Sequence, residues 1–283
     1  MISIKKINNE CVKPVVSPPE QSGLKIKGAE LFDNPYPNVF LCARKRSGKT
    51  STIFKILKSC MLRDTNLIIF ASTVNKDPTY KIITKYFEDK GVNVLKYTSI
   101  MDDGVNQLEL LLKHLEDEAK KENEEEEEPE MKYPKAKQLI RCGGDDDDED
   151  ECKKKRKKKQ IYVPRDYIVV FDDLSTELRS KSIVSLLKKN RHYKMMCILS
   201  SQYVHDVDPA GLRQIDYFLI FKGIKNEKLQ HIHKLADLAL DFNIFETIYN
   251  KATEKLYSFL YINTQAEQYR RNFNCLIQLP SNK

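Results

Sequence analysis

The sequence contains no apolar segment of the length that crosses a bilayer, which takes about 20 residues. Its N-terminal stretch MISIKKINNECVKP lacks the apolar core of a secretory signal. The seven cysteines form no CxxC pair and no Cys/His zinc spacing, and Cys42 and Cys197 lie in apolar runs typical of buried strands. No zinc finger, RNP motif or other base-reading module is present. We therefore expect an intracellular protein with reduced thiols, no membrane span and no sequence-specific nucleic-acid module.

Charge is distributed unevenly along the 283 residues, whose formal net charge is +7. A tract at Glu116–Lys159 carries acidic blocks followed by KKKRKKK, and it is acidic overall, so the rest of the chain is more basic than the total. A basic excess favours a polyanionic partner, although an ordinary lysine-rich surface gives the same totals. The KKKRKKK run itself fits a nuclear-import signal, a DNA-binding patch or, because it follows DDDDEDE, a self-neutralising solvated loop.

The order of apolar runs predicts an α/β fold in which a parallel sheet is covered by helices on both faces, because short, fully apolar strands alternate with helical patterns. Residues 1–30 are expected to be an irregular lead-in and residues 31–283 a single domain, interrupted at about 116–160 by a charged insertion that we expect to be disordered. The predicted strands are Val39–Cys42, Asn66–Ser72, Val92–Tyr97, Asp166–Asp173, Met196–Ser200, Tyr217–Phe221 and Tyr257–Thr264. The predicted helices are Lys49–Met61, Thr79–Lys90, Gly104–Lys121, Thr176–Asn190, Glu227–Leu240 and Asn243–Thr253.

The segment between the first strand and the first helix has the pattern of a phosphate-binding loop that ends in Gly48-Lys49-Thr50. Backbone N–H groups of such a loop and of the helix N-terminus bind phosphate oxygens. Lys49 would reach the β- and γ-phosphates of ATP, and the Thr50 hydroxyl would bind Mg²⁺. The position that usually opens the loop with glycine is Ala43. The full set of predicted nucleotide-binding residues is Ala43, Arg44, Lys45, Arg46, Ser47, Gly48, Lys49, Thr50 and Ser51.

Two further strand ends carry polar residues suited to ATP hydrolysis. The apolar strand ending in Asp172 and Asp173 has the form of a Walker B strand: Asp172 is assigned to Mg²⁺, and Asp173 to orienting or deprotonating the attacking water. A later strand, MMCILSS, is followed by Gln202, whose amide could bind the γ-phosphate or its water. An acidic turn, or an ordinary polar residue at a strand end, is the alternative for each pattern taken alone.

Together these motifs resemble the FtsK–HerA superfamily of DNA-pumping ATPases, and within it the genome-packaging ATPases of poxviruses and other large double-stranded DNA viruses, virophages included. The resemblance is carried by ARKRSGKTST, IVVFDDLS, KKNRHYKMMCILSSQYVHDVDPAGLRQIDYFLIF and YRRNF, and it covers roughly Asn38–Phe273 without the insertion. It implies a P-loop NTPase fold of the RecA/ASCE type, in which the Gln202 strand lies between the P-loop and Walker B strands. The implied activity is ATP-driven translocation of double-stranded DNA into a capsid.

The resemblance also implies a ring of subunits with ATP bound between neighbours, in which an arginine of one subunit completes the next site. Arg191 is the first candidate for this catalytic role and Arg213 the second. The implied partners are double-stranded DNA, contacted through its backbone, other copies of the chain, and components of the capsid or portal. The implied location is the host cytoplasm, in a virus factory, or the nucleus, or the virion.

Two other functions compete with the DNA motor at this stage. A P-loop ATPase or kinase that acts on a substrate other than DNA would share the loop, although the sequence shows no arginine-rich lid. A nucleotide-binding scaffold that no longer hydrolyses ATP is favoured by the missing first glycine. The combination of Lys49, Thr50, Asp172, Asp173 and Gln202 argues against the scaffold.

Overall fold

The computed structural model describes residues 24–126 and 162–278. Most of the predicted lead-in, residues 1–23, and most of the predicted charged insertion, residues 127–160, lie outside the described residues. The first part of the predicted insertion, through Glu126, continues a helix.

A nine-stranded sheet forms the centre of the described fold, in the order β11-β10-β9-β8-β1-β7-β6-β2-β3. The six strands from β8 to β3 in this order are parallel, and β9, β10 and β11 add antiparallel neighbours beyond β8. A separate hairpin joins β4 to β5. The strands are β1 (Asn38–Cys42), β2 (Asn66–Ala71), β3 (Val94–Tyr97), β4 (Met101–Asp102), β5 (Val105–Asn106), β6 (Tyr167–Asp172), β7 (Met195–Ser201), β8 (Tyr217–Phe221), β9 (Phe259–Asn263), β10 (Gln268–Arg271) and β11 (Cys275–Leu276).

Helices cover both faces of this sheet, as predicted, because alternate residues of the buried strands point to opposite sides. On one face, Val39 and Leu41 of β1 pack in a core with helices α1 and α2; on the other, Phe40 and Cys42 pack in a core with α3 to α7. The helices are α1 (Lys49–Cys60), α2 (Pro78–Glu88), α3 (Gln107–Glu126), α4 (Lys181–Lys189), α5 (Pro209–Leu212), α6 (Asn226–Leu235) and α7 (Phe242–Ala252).

Several predicted boundaries are wrong, for local reasons. The predicted helix Thr176–Asn190 is a 3₁₀ turn at Ser175–Arg179 followed by α4, because Ser180 is extended and its hydroxyl accepts from the Ile183 N–H as a helix cap. The predicted helix Glu227–Leu240 ends at Leu235. The third strand begins at Val94 rather than Val92, and a short hairpin precedes α3, which begins at Gln107. Strands β10 and β11 are absent from the sequence prediction.

Buried polar residues form hydrogen bonds at the amino-terminal edge of the sheet, where the parallel strands begin. Arg165 is 5% exposed, and its guanidinium donates to the carbonyl oxygens of Pro35 and Cys60 at 2.5–2.8 Å. Asp216 accepts from the Asn38 N–H at 2.8 Å, and burial raises the pKa of its carboxyl. These bonds satisfy backbone groups where the strands begin.

The segments on either side of residues 127–161 are α3 and the stretch that leads into β6, and both contact this same edge. Glu116 of α3 accepts from the hydroxyl of Tyr193, in the turn that leads into β7, at 2.8 Å. Tyr162 pairs with Lys25 in an isolated bridge, five residues before β6 begins at Tyr167. The chain therefore leaves and re-enters the described fold on the side where the parallel strands start.

Candidate nucleotide-binding site

Three neighbouring parallel strands end together at the carboxyl edge of the sheet. Cys42 of β1 is in register with Ser201 of β7, and Asp172 of β6 with Ser200 of β7. The Ala43 N–H continues the ladder by donating to the Ser201 carbonyl at 3.0 Å. The strand before Gln202 thus lies between the P-loop and Walker B strands, which confirms the predicted strand order.

The loop between β1 and α1 has the backbone geometry of an anion-binding turn. Gly48, the residue before α1, has φ 91° and ψ 12°, which glycine adopts readily. No side chain caps the helix, and its first turn carries no acidic residue. The N–H groups at the helix N-terminus therefore have no side-chain acceptor and can bind an anion. Ala43 is fully buried and is not among the residues with positive φ, so alanine fits there without backbone strain.

The side chain of Lys49 lies between two aspartates at the end of β6, the last strand residue Asp172 and the next residue Asp173. Its Nζ is 2.8 Å from Asp172 Oδ1 and 2.6 Å from Asp173 Oδ1. Lys49 is 8% exposed and Asp172 4%, whereas the Asp173 side chain is 42% exposed. One ammonium therefore balances two carboxylates, one of them open to solvent. The fold brings together three residues that lie 123 and 124 positions apart in the sequence.

A tyrosine from α2 completes this cluster. The Tyr80 hydroxyl donates to Asp172 Oδ2 at 2.6 Å, and Tyr80 is 2% exposed. Burial, followed by the charge of Asp172, raises the pKa of Tyr80, so the phenol keeps its proton and acts as a donor. The two oxygens of Asp172 are thus divided between Tyr80 and Lys49. Sequence analysis missed Tyr80, because its place on the apolar face with Ile83 and Phe87 predicts only core packing.

The remaining predicted residues of this edge lie around the cluster. Asp173 has φ 50°, and its N–H donates to the Ser200 carbonyl at 3.2 Å, so the backbone turns out of the sheet at this residue. Gln202 is partly exposed directly after β7, and its amide makes no hydrogen bond to the described residues. Thr50 and Ser51 lie in the first turn of α1, partly exposed and exposed respectively.

The basic part of the loop points away from the core. Arg44, Lys45 and Arg46 are exposed. Arg46 has φ 62°, a conformation that costs a residue with a side chain about 1 kcal/mol. The Arg44 side chain runs beside Gly223 in the turn after β8, where a methyl group on the Gly223 Cα would lie 3.4 Å from Arg44 Cδ.

Arg191 and Arg213 do not lie at this edge of their own chain. Arg191 is in the turn before β7, with Nη2 3.9 Å from Asp216 Oδ1, and Arg213 follows α5 ahead of β8. Both therefore lie where parallel strands begin, and β7 alone separates the two edges by about 20 Å. Within one subunit neither arginine reaches Lys49.

A second residue that sequence analysis missed lies beside the loop, although it comes from near the C-terminal end of the described chain. A methyl group placed on the Gly48 Cα would lie 3.4 Å from Cδ1 of Tyr257, which precedes β9. Because β9 is antiparallel to β8, its beginning lies at the carboxyl edge, where Phe259 pairs with Phe221. The sequence pattern predicts Tyr257 only as the first residue of the last strand.

Strand order, loop and lysine–aspartate cluster agree on one conclusion. The chain has a P-loop NTPase fold. No family model matches it. Uncharacterized protein 075L of Invertebrate iridescent virus 6 is 31% identical over 104 residues, which make up 35% of this chain and 40% of that protein. The matched region thus spans less than half of the relative.

Solved structures with a similar fold include two kinds of ATPase. The genome-packaging NTPase B204 of Sulfolobus turreted icosahedral virus 2, in complex with ATPγS, is 19% identical, with 84% of this chain and 97% of that chain covered and a TM-score of 0.47. EssC (ATPases 2 and 3) of Geobacillus thermodenitrificans is 12% identical, with 80% and 37% covered and a TM-score of 0.49.

Residues 24–126 and 162–278 also bear on the metal cofactor and on a membrane span. These residues contain no cluster of three or more His, Cys, Asp or Glu side chains that could hold a metal. Mg²⁺ needs no such cluster, because it is commonly held by one or two carboxylates together with substrate phosphates. Within the same ranges, no helix combines the length and the apolar character needed to cross a bilayer.

Proposed function

We propose that this protein hydrolyses ATP with Mg²⁺ and uses the energy to move double-stranded DNA into a viral capsid. The observation that carries the ATPase part is the position of the Lys49 ammonium. It lies within 2.8 Å of two carboxylates, at the end of a loop whose helix presents uncapped N–H groups. Such an arrangement suits two ligands: the ammonium and the N–H groups would bind a phosphate group, and the carboxylates would bind a metal ion.

The residues present fit a nucleotide phosphate. Ser47 Oγ is a buried polar atom without a hydrogen-bond partner among the described residues, and it lies in the loop itself. Gly48 leaves the backbone open to close approach, and Lys49 supplies a positive charge. A phosphate would compete with Asp172 and Asp173 for Lys49, since the ammonium now serves both carboxylates.

The two aspartates differ in a way that suits different tasks. Asp172 is buried and fixed by Tyr80, so with the Thr50 hydroxyl it would hold Mg²⁺, which supplies charge to the phosphates and orients them. Asp173 is about two-fifths exposed and would accept the proton of an attacking water or orient that water. Gln202, on the adjacent strand end, would bind the γ-phosphate or the water.

The DNA-moving part rests on the order of the motifs and on charge. The motif order resembles DNA-pumping ATPases, and the net charge of +7 favours a polyanion. The partial relative from an iridescent virus supports a viral setting, in the host cytoplasm, in the nucleus or in the virion. Contacts to the DNA backbone would make binding salt-sensitive and indifferent to sequence.

The proposed motor is a ring of subunits, and the position of the two candidate arginines supports this assembly. Arg191 and Arg213 lie about 20 Å from Lys49 within one subunit, so either can serve catalysis only in a neighbour's site. In that arrangement Arg191 would leave Asp216 and contact the phosphates of the next subunit. Capsid or portal components would hold the ring at the shell.

The test is ATP hydrolysis by the full chain, with and without linear duplex DNA, at two salt concentrations. Lys49→Ala and Asp173→Asn should each lower turnover by about 100-fold or more; asparagine tolerates the left-handed backbone of residue 173. Lys55→Ala and Asp64→Asn change exposed residues of the same types and should leave basal turnover unchanged.

The outcomes separate the competing functions. DNA-stimulated turnover that high salt weakens supports the motor. Turnover that is indifferent to DNA would point to an ATPase or kinase with another substrate. ATP binding without turnover would make the protein a nucleotide-binding scaffold and would overturn the proposal.

A further inference from the structure

We propose that Tyr257 is the stacking platform for the nucleotide base, a role that rests on the proposed function and adds the recognition of the base to it. The sequence motifs assign residues to the phosphates and to the metal, and none to the base. Tyr257 is the aromatic side chain that the fold brings against the phosphate loop at Gly48.

Tyr257 faces the loop with one side of its side chain. The atoms of Tyr257 nearest to a methyl group placed on the Gly48 Cα are Cδ1, Cβ and Cγ, at 3.4 to 3.9 Å. The residue is nevertheless 62% exposed, so most of the ring remains open to solvent at the edge of the site. Its hydroxyl makes no hydrogen bond to the described residues. A tyrosine that only supported the loop would be covered by it.

The backbone turn that carries the exposed Tyr257 ring is held by hydrogen bonds. Tyr257 has φ 61°, an uncommon conformation for a bulky residue that the surrounding turn must enforce. Lys222 Nζ donates to the Glu254 carbonyl at 2.6 Å and ties the turn to the end of β8. The Ser258 hydroxyl donates to the Lys255 carbonyl at 2.6 Å and closes the turn on itself. The turn is therefore fixed while the ring it carries is exposed.

The chemistry suits a base. An exposed aromatic face stacks on any nucleobase, and tyrosine has only two side-chain torsions, so it loses little conformational entropy on binding. Phosphates bound by Lys49 and the N-terminus of α1 would leave the nucleoside at the rim of the loop, where Tyr257 lies. The ligand class is thus a nucleoside triphosphate, and stacking alone favours purines over pyrimidines because their ring face is larger.

The experiment compares ligands with and without a base. ATP and inorganic tripolyphosphate are titrated, each with Mg²⁺, into the full chain, Tyr257→Phe and Tyr257→Ala, with calorimetric detection. Tyr257→Phe should bind ATP as the unchanged chain does, and Tyr257→Ala should bind it about tenfold more weakly. Tripolyphosphate should bind all three equally.

A fluorescent variant provides a second measurement. The sequence has no tryptophan, so Tyr257→Trp introduces a single one. ATP should change its emission, whereas tripolyphosphate should not. Tyr86→Trp on α2, partly exposed and packed against Phe54, is the matched control and should respond to neither.

Each other result overturns the proposal. Equal weakening of ATP and tripolyphosphate by Tyr257→Ala would make the ring a support for the loop. An unchanged ATP affinity in Tyr257→Ala would show that the ring does not stack on the base. In both cases the ATPase proposal would stand, whereas failure of the unchanged chain to bind ATP would remove both proposals together.

Discussion

Tyr80 and Asp172, 92 residues apart in the chain, are joined by a buried hydrogen bond of 2.6 Å between the phenol and the carboxylate. A helix on one face of the sheet thereby fixes the acidic side chain at the end of a central strand. The other carboxylate oxygen is left to Lys49, so the orientation of the proposed metal ligand depends on a residue outside the loop and Walker motifs.

Tyr80→Phe is expected to lower both the stability of the protein and its affinity for Mg²⁺. Removing the hydroxyl leaves a buried carboxylate oxygen without its donor, which costs about 1–3 kcal/mol. The free energy of unfolding in urea should fall by that amount, and hydrolysis should need more Mg²⁺ for half-maximal rate. Tyr86→Phe is the control on the same helix. A normal Mg²⁺ profile in Tyr80→Phe would show that Asp172 is oriented without Tyr80.

A glycine at the position that opens the loop should improve neither the stability of the protein nor its affinity for ATP. Ala43 is fully buried with an ordinary φ, so Ala43→Gly adds chain entropy to the unfolded state and removes a packed methyl. We expect a loss of about 1 kcal/mol in the free energy of unfolding and no gain in ATP affinity. Tighter ATP binding by Ala43→Gly, measured by calorimetry, would contradict this.

Arg46 is the loop position where glycine should be tolerated. Its φ of 62° is left-handed, so Arg46→Gly relieves strain that offsets the added freedom of the unfolded chain. The free energy of unfolding should change by less than about 1 kcal/mol. Arg46→Val, with a branched side chain that resists this conformation, should destabilise the protein more than Arg46→Gly. Equal stability of the two variants would show that the backbone at residue 46 is unstrained.

Arg165 should be among the most sensitive residues for folding. Its buried guanidinium satisfies carbonyl groups of Pro35 and Cys60, and burial lowers its pKa. Arg165→Ala leaves these carbonyls unpaired and opens a cavity, so we expect a loss of about 3 kcal/mol or more in urea unfolding. Arg63→Ala, at an exposed site, should change stability by less than about 0.5 kcal/mol.

The buried thiols should resist alkylation in the folded protein. Burial raises the pKa of Cys42 to about 12 and of Cys60 to about 11, so neither forms thiolate at pH 8, whereas Cys275 is partly exposed. Peptide mapping after iodoacetamide treatment should find Cys275 modified before Cys42, Cys60 and Cys197, the other cysteines among residues 24–126 and 162–278. Because both pKa values are higher in the folded than in the unfolded state, stability should fall as the pH rises above about 9. Rapid labelling of Cys42 at pH 8 would contradict the burial.

The parts of the fold that the sequence predicts well are those that local patterns determine. The central strands are continuous apolar runs, and Gly48-Lys49-Thr50 marks the first helix. The break at Ser180 escapes prediction because a polar side chain also fits the exposed face of a helical pattern, although serine is a favoured helix cap. The antiparallel β10 has one apolar residue in four and pairs with β9, and the two-residue β11 pairs with β10, so neither carries the long apolar run of a central strand.

The candidate site divides in the same way. Lys49, Asp172 and Asp173 follow from strand ends, because parallel strands bring their carboxyl ends to one edge. Tyr80 and Tyr257 do not, since neither ends a parallel strand: Tyr80 lies on α2 and Tyr257 precedes the antiparallel β9. The roles of Arg191 and Arg213 depend on a neighbouring subunit, which no pattern within one chain describes, and they stay predictions.

The flanks of residues 127–161 have a practical use. Glu116 and Tyr162 both lie where the parallel strands begin, and Lys49 lies where they end, about 20 Å away. A fluorophore, an affinity tag or a surface tether could be fused between these flanks. Its attachment point would then lie on the side of the protein opposite the phosphate loop. Single molecules could therefore be immobilised at this point with the loop facing the solution.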